Sequence, residues 1–276
     1  MLRRSNGGPT VRTFGIVNVT RDSFSDGGRF LRPEAALAHA EKLLADGADV
    51  LDLGAESTHP DAEDVSADEE VQRLQPLVES LLARGATVSI DTTKTEVMRA
   101  MTALGVHWLN DVSGFRTGAA MEVAAAAPES VRFVVMFSRS QGPRADRPDA
   151  DAAPVLDEMR AFFTERLRSF AAAGIARERL VFDPGMGFFL GRAAAPSLRV
   201  LKHLAELHAF GVPLLVSVSR KSFLGEVTGR PVAERGPASL AAELWALRNG
   251  ASFVRTHDVA ALRAAWTVEQ AIASAS

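Results

Sequence analysis

Asp91, Asn110 and Asp183 each close a short apolar run of strand type: Ser-Ile-Asp, Trp-Leu-Asn and Val-Phe-Asp. Taken singly, an Asp or Asn in that place is ordinarily a helix cap, its side-chain oxygen satisfying a free backbone N–H. Brought into one mouth, three such acceptors suit a heterocycle bearing amide and amidine N–H groups. A buried carboxylate such as Asp183 is tolerated only when paired or hydrogen-bonded, and a cyclic guanidine-like edge offers two donors in matching geometry. Lys221 stands in Ser219-Arg220-Lys221-Ser222, just after the apolar run Leu214–Val218. Alone it reads as a surface lysine with a buried stem; in this company it reaches acceptors on the other edge of the ring.

A second group of residues points to an anion. A helix is expected to start here with Ser219 or Ser222 near its cap, beside two adjacent cations, so backbone N–H groups and positive side chains converge there. Arg255 and His257 alternate along one strand and therefore share a face. With Arg220 they occupy the place where parallel α/β barrels hold phosphate. His257 on its own reads equally as a core histidine bonded to backbone, and it is expected to titrate near neutrality. No His/Asp cluster is spaced as a dedicated metal site. Asn18 is a neutral oxygen donor that suits a Mg²⁺ shared with a bound diphosphate, since Mg²⁺ takes few protein ligands alongside phosphate oxygens.

These residues need a scaffold that presents strand ends on one side. Strand patterns fall near Phe14–Val19, Asp49–Gly54, Thr87–Asp91, Trp108–Val112, Arg132–Met136, Leu180–Asp183, Leu214–Val218 and Ser252–His257. Helical patterns lie between and after them, near Pro33–Asp46, Ala67–Arg84, Thr95–Leu104, Ala119–Ala126, Val155–Ala173, Pro196–Phe210, Val232–Asn249 and Val259–Ala273. Strict alternation implies a parallel sheet with right-handed crossovers, and eight units in 276 residues fit a single-domain (β/α)8 TIM barrel over residues 1–276. Every motif above then falls at the C-terminal mouth. The Gly-, Ser- and Pro-rich segments after strands one and two read as lids. Ser138–Pro154 reads as a mobile loop, and the acidic run Asp61–Glu70 as a solvated helix start.

Composition narrows the rest. Apolar content of 47%, charged content of 24% and a net charge of −3 are globular values that give no reason to expect nucleic acid or membrane as a partner. With no cysteine there is no thiol nucleophile or thiolate metal site. No apolar stretch approaches the roughly 18 residues a membrane span needs, and Met1–Arg12 lacks the apolar core of a signal peptide. A cytoplasmic location is expected.

As a set, the motifs resemble the dihydropteroate synthases. They are Gly15–Thr20, Asp22–Gly28, Glu56-Ser57-Thr58, Ile90-Asp91-Thr92, Asn110–Gly114, Asp183–Phe188, Ser219–Ser222 and Arg255–Asp258. The resemblance covers nearly the whole chain in order. It implies a barrel that joins (7,8-dihydropterin-6-yl)methyl diphosphate to 4-aminobenzoate, releasing diphosphate with Mg²⁺, in a homodimer. By position it implies pterin contacts from Asp91, Asn110, Asp183 and Lys221. Diphosphate and its Mg²⁺ fall to Asn18, Arg220, Arg255 and His257. The aminobenzoate falls to Phe24, Thr58, Pro60, Phe188 and Ser222. Asp183, Lys221, Arg255 and His257 are the residues expected to act in catalysis.

Several positions depart from the family pattern: Arg21, Ala55, His59, Phe137, Phe189, Leu190 and Ser217. His59 stands in the second lid where an arginine is usual, and Ser217 replaces a glycine near the pterin. A synthase is the reading favoured. A relative using another amine or pterin, or a pterin-binding protein without turnover, remains an alternative at this stage.

Overall fold

The structure is a computed structural model that describes residues 11–19, 33–56, 64–140, 142, 145 and 151–275. Among the described residues, eight strands alternate with helices. The strands are β1 (Arg12–Asn18), β2 (Val50–Gly54), β3 (Val88–Asp91), β4 (Trp108–Asp111), β5 (Arg132–Met136), β6 (Leu180–Asp183), β7 (Leu215–Val216) and β8 (Phe253–Thr256). The helices are α1 (Pro33–Ala45), α2 (Ala67–Ala83), α3 (Thr95–Leu104), α4 (Gly118–Ala126), α5 (Val155–Ala172), α6 (Ala194–Lys202), α7 (Ser222–Thr228), α8 (Gly236–Arg248) and α9 (Val259–Ala273). All strand pairs are parallel, in the order β6-β5-β4-β3-β2-β1-β8-β7. The barrel is nearly closed: β6 and β7 meet through the bridge Phe182–Leu214, where the Phe182 N–H donates to the Pro213 carbonyl at 2.9 Å.

The period of two along each strand sorts the barrel into two apolar layers. Leu51, Leu53, Val88, Ile90, Leu109, Phe133, Val135, Phe182 and Val254 face outward and pack under the helices. Phe14, Val50, Trp108, Val134, Val181, Leu215 and Phe253 face inward and plug the barrel floor. Phe14 meets Trp108 and Phe253 edge-on, at 5.2 and 5.7 Å between ring centres. Two residues further along each strand, the inward positions are Ile16, Asp52, Asn110, Met136, Asp183, Ser217 and Arg255. The polar layer therefore rests directly on a rigid apolar floor.

Three expectations need correction. The single helix expected over Pro196–Phe210 is α6 followed by a 3₁₀ segment, Leu204–Phe210. The helix expected from Val232 starts only at Gly236, with Pro237 in its first turn where a missing N–H costs nothing; α7 and a 3₁₀ turn at Val232–Glu234 precede it. The acidic run is not wholly solvated. Ser66 caps α2 by accepting the Glu69 N–H at 3.2 Å, but Glu70 is buried and ion-paired with Lys94 at 3.0 Å.

The segment Ser138–Pro154 is tied down where it is described. The Arg139 N–H donates to the Phe189 carbonyl at 2.9 Å, and its side chain reaches Glu158 and the carbonyls of Asp151 and Leu190. Ala145 is buried beside Val112, Met136 and Phe189. Residues 141, 143, 144 and 146–150 of that expected loop lie outside the described residues.

Candidate active site

The inward layer brings three of the expected acceptors together with a residue the sequence did not single out. Asp52, inside β2 and fully buried, accepts from the Asn110 amide nitrogen at 3.2 Å and pairs with Arg255 Nε. Arg255 Nη2 donates to Asp91 at 2.7 Å. Because Asp52 can only accept, it turns the Asn110 amide so that its carbonyl oxygen is left for the mouth. Arg255 thus sits among the acceptors, between two carboxylates, with Nε and Nη2 already engaged.

Burial raises Asp91 to about 7, against the pull of Arg255, with Asp52 adding to the rise. Burial likewise raises Asp183 to about 6, although the Gly185 N–H donates to its Oδ1 at 2.8 Å and Lys221 lies nearby. Burial lowers Lys221, helped by the like charge of Arg255. For Arg255 burial opposes the charge, yet Asp52 and Asp91 raise it overall. These are groups held in water-poor surroundings, which is where tuned acids and bases occur.

Lys221 leans over Phe189, its ammonium 5.3 Å from the ring centre. Phe189 was noted in the sequence only as a departure; here it is the apolar platform under the lysine. Gly187, at φ +67°, brings this loop against the cradle: a side chain there would press on Ser222 Oγ at 3.1 Å and Lys221 Cβ at 3.5 Å. Phe188 and Ser222 are half-buried on either side of that contact.

The Ser-Arg-Lys-Ser turn is bent by Arg220, which adopts φ +59°. Such a turn must be held from outside. The Arg220 N–H donates to Ser239 Oγ at 2.8 Å, and Arg235 Nη1 donates to the Arg220 and Lys221 carbonyls at 3.1 and 3.4 Å. A side chain at Gly225 would overlap the Arg235 guanidinium, so the glycine makes room for this clasp. Arg220 itself is exposed, as an anion ligand at a rim would be.

His257 follows β8 and is half-buried. Its backbone N–H donates to Ser219 Oγ at 3.3 Å, and its Nδ1 lies 3.0 Å from the same oxygen. The expectation that it titrates near neutrality fails: burial, reinforced by Arg220, Arg255 and Lys221, lowers it to about 3. It is a neutral imidazole across the physiological range. Asp258, read with it as part of the mouth, caps α9 by accepting the Ala261 N–H at 3.0 Å.

Asn18 ends β1 at the rim with an exposed side chain. Among the described residues no group of three or more His, Cys, Asp or Glu side chains is placed to hold a metal ion. A lone neutral oxygen fits Mg²⁺ only where a ligand brings most of the coordinating oxygens. Phe24, Thr58 and Pro60, with the departures Arg21 and His59, lie outside the described residues. The base of the second lid is visible: Lys94 joins Glu56 and Glu70, and Glu56 also accepts the Val65 N–H at 3.3 Å. No described helix is long and apolar enough to cross a membrane.

Comparison with known proteins covers most of the chain. The family model "Pterin binding enzyme" matches residues 14–257. The chain is similar to the dihydropteroate synthase type-2 of Escherichia coli, 49% identical over 251 residues, spanning 91% of this chain and 92% of that one. Among solved structures it resembles a dihydropteroate synthase of Xanthomonas albilineans with 4-aminobenzoic acid, at TM-score 0.87 and 42% identity, covering 96% and 94% of the two chains. The Xanthomonas albilineans enzyme in complex with 7,8-dihydropteroate matches at TM-score 0.83 and 40% identity, covering 96% and 95%.

Proposed function

The chain belongs to the dihydropteroate synthase family of pterin-binding enzymes, and from that membership we infer how its residues divide the reaction. The activity is that of a transferase in folate synthesis. It condenses (7,8-dihydropterin-6-yl)methyl diphosphate with 4-aminobenzoate to 7,8-dihydropteroate and diphosphate. The observation that carries the division of roles is the polar layer of Asp52, Asp91, Asn110, Asp183 and Arg255 above the apolar floor.

In the step, the amine nitrogen bonds to the pterin methylene carbon as the carbon–oxygen bond to diphosphate breaks. The electron pair leaves with diphosphate, and the amine then loses a proton to solvent. An arylamine is already a nucleophile, so no strong base is required. What the chain must supply is orientation of the pterin and stabilisation of positive charge growing at the methylene. Asp183 and the Asn110 carbonyl accept N–H groups on the pterin, Asp91 adds a third acceptor, and Lys221 donates to the ring's other edge. The carboxylates place negative potential beside the reacting carbon before the reaction begins. Arg220, Arg255 and His257 hold the diphosphate, His257 as a neutral N–H donor. Bound at Asn18 and shared with diphosphate oxygens, Mg²⁺ would supply further positive charge to the leaving group. Phe24, Thr58, Pro60, Phe188 and Ser222 enclose the aminobenzoate.

A homodimer in the cytoplasm completes the reading. Supporting the dimer, Leu198, Val227, Val232 and Trp245 expose apolar surface on α6, α7, α8 and the turn between the last two. A monomeric mass in light scattering at every concentration would refute the dimer. The reaction is tested with purified protein, the pterin diphosphate, Mg²⁺ and 4-aminobenzoate, following dihydropteroate directly. Product requiring both substrates is expected. Pterin binding without product would make the chain a binding protein, and product only with another amine would make it a divergent relative.

A further inference from the structure

Arg139 follows β5 and takes no part in the reaction as described, yet its side chain is only 7% exposed. Its bonds run in two directions. Toward the mouth, its backbone N–H donates to the Phe189 carbonyl at 2.9 Å and its Nη1 to the Leu190 carbonyl at 3.1 Å. Away from the mouth, Nη1 also donates to the Asp151 carbonyl at 2.8 Å, and Nε pairs at 2.6 Å with Glu158 in the first turn of α5. The guanidinium thus bridges a helix on the outside of the barrel and the loop that follows β6.

That loop needs an external hold. It is one 3₁₀ turn, Gly187–Phe189, closed by the Leu190 N–H donating to the Gly187 carbonyl at 2.9 Å. Turns of this kind have poor hydrogen-bond geometry, and this one starts on a glycine at φ +67°. Ser197 of α6 anchors its start, because the Gly187 N–H donates to Ser197 Oγ at 2.9 Å. Arg139 anchors its end. Lys221 rests on the turn along its whole length. A side chain at Gly187 would meet Lys221 Cβ and Cδ at 3.5 Å each, so the turn's backbone lies against the lysine stem. The Phe189 ring, buried beside Val112 and Met136, lies under the lysine ammonium at 5.3 Å.

We propose that Arg139 is a positioning residue that sets the place of Lys221 by clamping the Gly187–Leu190 turn to α5. Its planar fork is what suits it to the task. Pairing Nε with Glu158 fixes the plane of the guanidinium and so aims Nη1 at the Leu190 carbonyl. A lysine has one donor centre on a flexible stem and does not reproduce that aim. The consequence for binding rests on the function proposed above. The pterin, which Lys221 contacts, depends on the clamp, whereas diphosphate, held by Arg220, Arg255 and His257, does not.

The test reads Lys221 itself. The chain has four lysines, Lys42, Lys94, Lys202 and Lys221, so ¹³C-lysine labelling of the ligand-free full-length protein gives a simple spectrum. The Lys221 ε-methylene signal is assigned by its loss in Lys221→Arg. The ring current of Phe189 should hold its protons upfield, and Phe189→Leu should release them. Arg139→Met and Arg139→Lys should both move the signal most of the way to its Phe189→Leu position. In both variants pterin affinity should fall about fivefold while inorganic diphosphate stays within about twofold. A wild-type signal already at the Phe189→Leu position overturns the proposal, as does a signal unmoved in Arg139→Met. A wild-type signal in Arg139→Lys overturns it too, since charge and not the fork would then act. Equal losses of pterin and diphosphate would reveal general loosening in place of a clamp. Should either Arg139 variant fail to fold, Glu158→Ala decides, because it cuts the bridge at a side chain 42% exposed. It should move the Lys221 signal the same way by less, and no movement refutes the clamp. Failure to form dihydropteroate, with the Lys221 signal responding as described, would count against the synthase function and leave the role of Arg139 standing.

Discussion

The two halves of the mouth are built by different means. On the side of β2, β3, β4 and β6, the functional atoms belong to the strands themselves: Asp52, Asp91, Asn110 and Asp183 stand on the barrel's own pleat. On the side of β7 and β8, Arg255 stands on its strand, but Arg220 and Lys221 belong to a turn, and that turn is held from α8 and the residue before it. Arg235, just before α8, and Ser239 within it clasp Arg220 and Lys221 from outside the barrel. A planar heterocycle that must be read edge-on gains from rigid acceptors on a packed floor. A diphosphate that must be bound and then released gains from backbone N–H groups and cations on a turn. The difference teaches where each side is vulnerable. The strand side fails when a buried charge is left unpaired, and the turn side fails when a remote clasp is lost.

The largest expected effect breaks the strand side. Asp52→Ala leaves Arg255 with only Asp91 as a carboxylate partner and frees the Asn110 amide. Breaking a buried pair by removing one partner costs about 3 kcal/mol or more. The urea midpoint should fall with an unchanged m-value, and pterin affinity should fall with it. A midpoint equal to wild type would show that Asp52 holds nothing in place.

pH sharpens the same comparison. Asp183 and Asp91 rise to about 6 and about 7, above their ordinary 3.8. A raised acid stabilises the fold while protonated: the contribution is full below about pH 4 and is lost as pH rises through the folded value. Recognition runs the other way, because the pterin N–H groups need the ionised form of Asp183. Pterin affinity should therefore improve as pH rises through about 6. Over the same interval the stability advantage of wild type over Asp183→Asn should shrink. Pterin affinity that strengthens toward acid would contradict these assignments.

The smaller effect is on the turn side. Arg235→Ala removes two hydrogen bonds to the Arg220 and Lys221 carbonyls but touches no ligand. A loss of about 1 kcal/mol is expected, roughly fivefold in affinity for inorganic diphosphate by calorimetry. Unaltered diphosphate binding would show that the φ +59° turn at Arg220 holds itself.

Much of the strand side was legible in the sequence, because a period of two and the Gly-punctuated alternation of strand and helix fix which residues face the mouth. Asp91, Asn110 and Asp183 were found at strand ends for that reason. Asp52 was not, because it sits within an apolar strand, and attention to strand ends passes over a charge placed two residues before the end. The turn side was legible only as a list of cations. Arg235 and Ser239 fall within the helical pattern expected over Val232–Asn249, and their hold on the turn has meaning only once the turn they face is known. The same gap misjudged His257: its residue type predicts a titration near neutrality, whereas its burial among Arg220, Arg255 and Lys221 prevents one. Phe189 was seen only as a departure from the family pattern, and its place under Lys221 required the fold.

The central claim is that the two sides divide the substrate between them. It is tested most directly by titrating a pterin without its diphosphate, and separately inorganic diphosphate with Mg²⁺, into wild type, Asp183→Asn and Arg235→Ala. Asp183→Asn places an amide N–H against the pterin N–H groups, an unpaired contact that costs about 2–5 kcal/mol. The account predicts that this variant loses pterin by at least about thirtyfold and keeps diphosphate within about threefold, while Arg235→Ala does the reverse on its smaller scale. Equal losses of both ligands in both variants would contradict it.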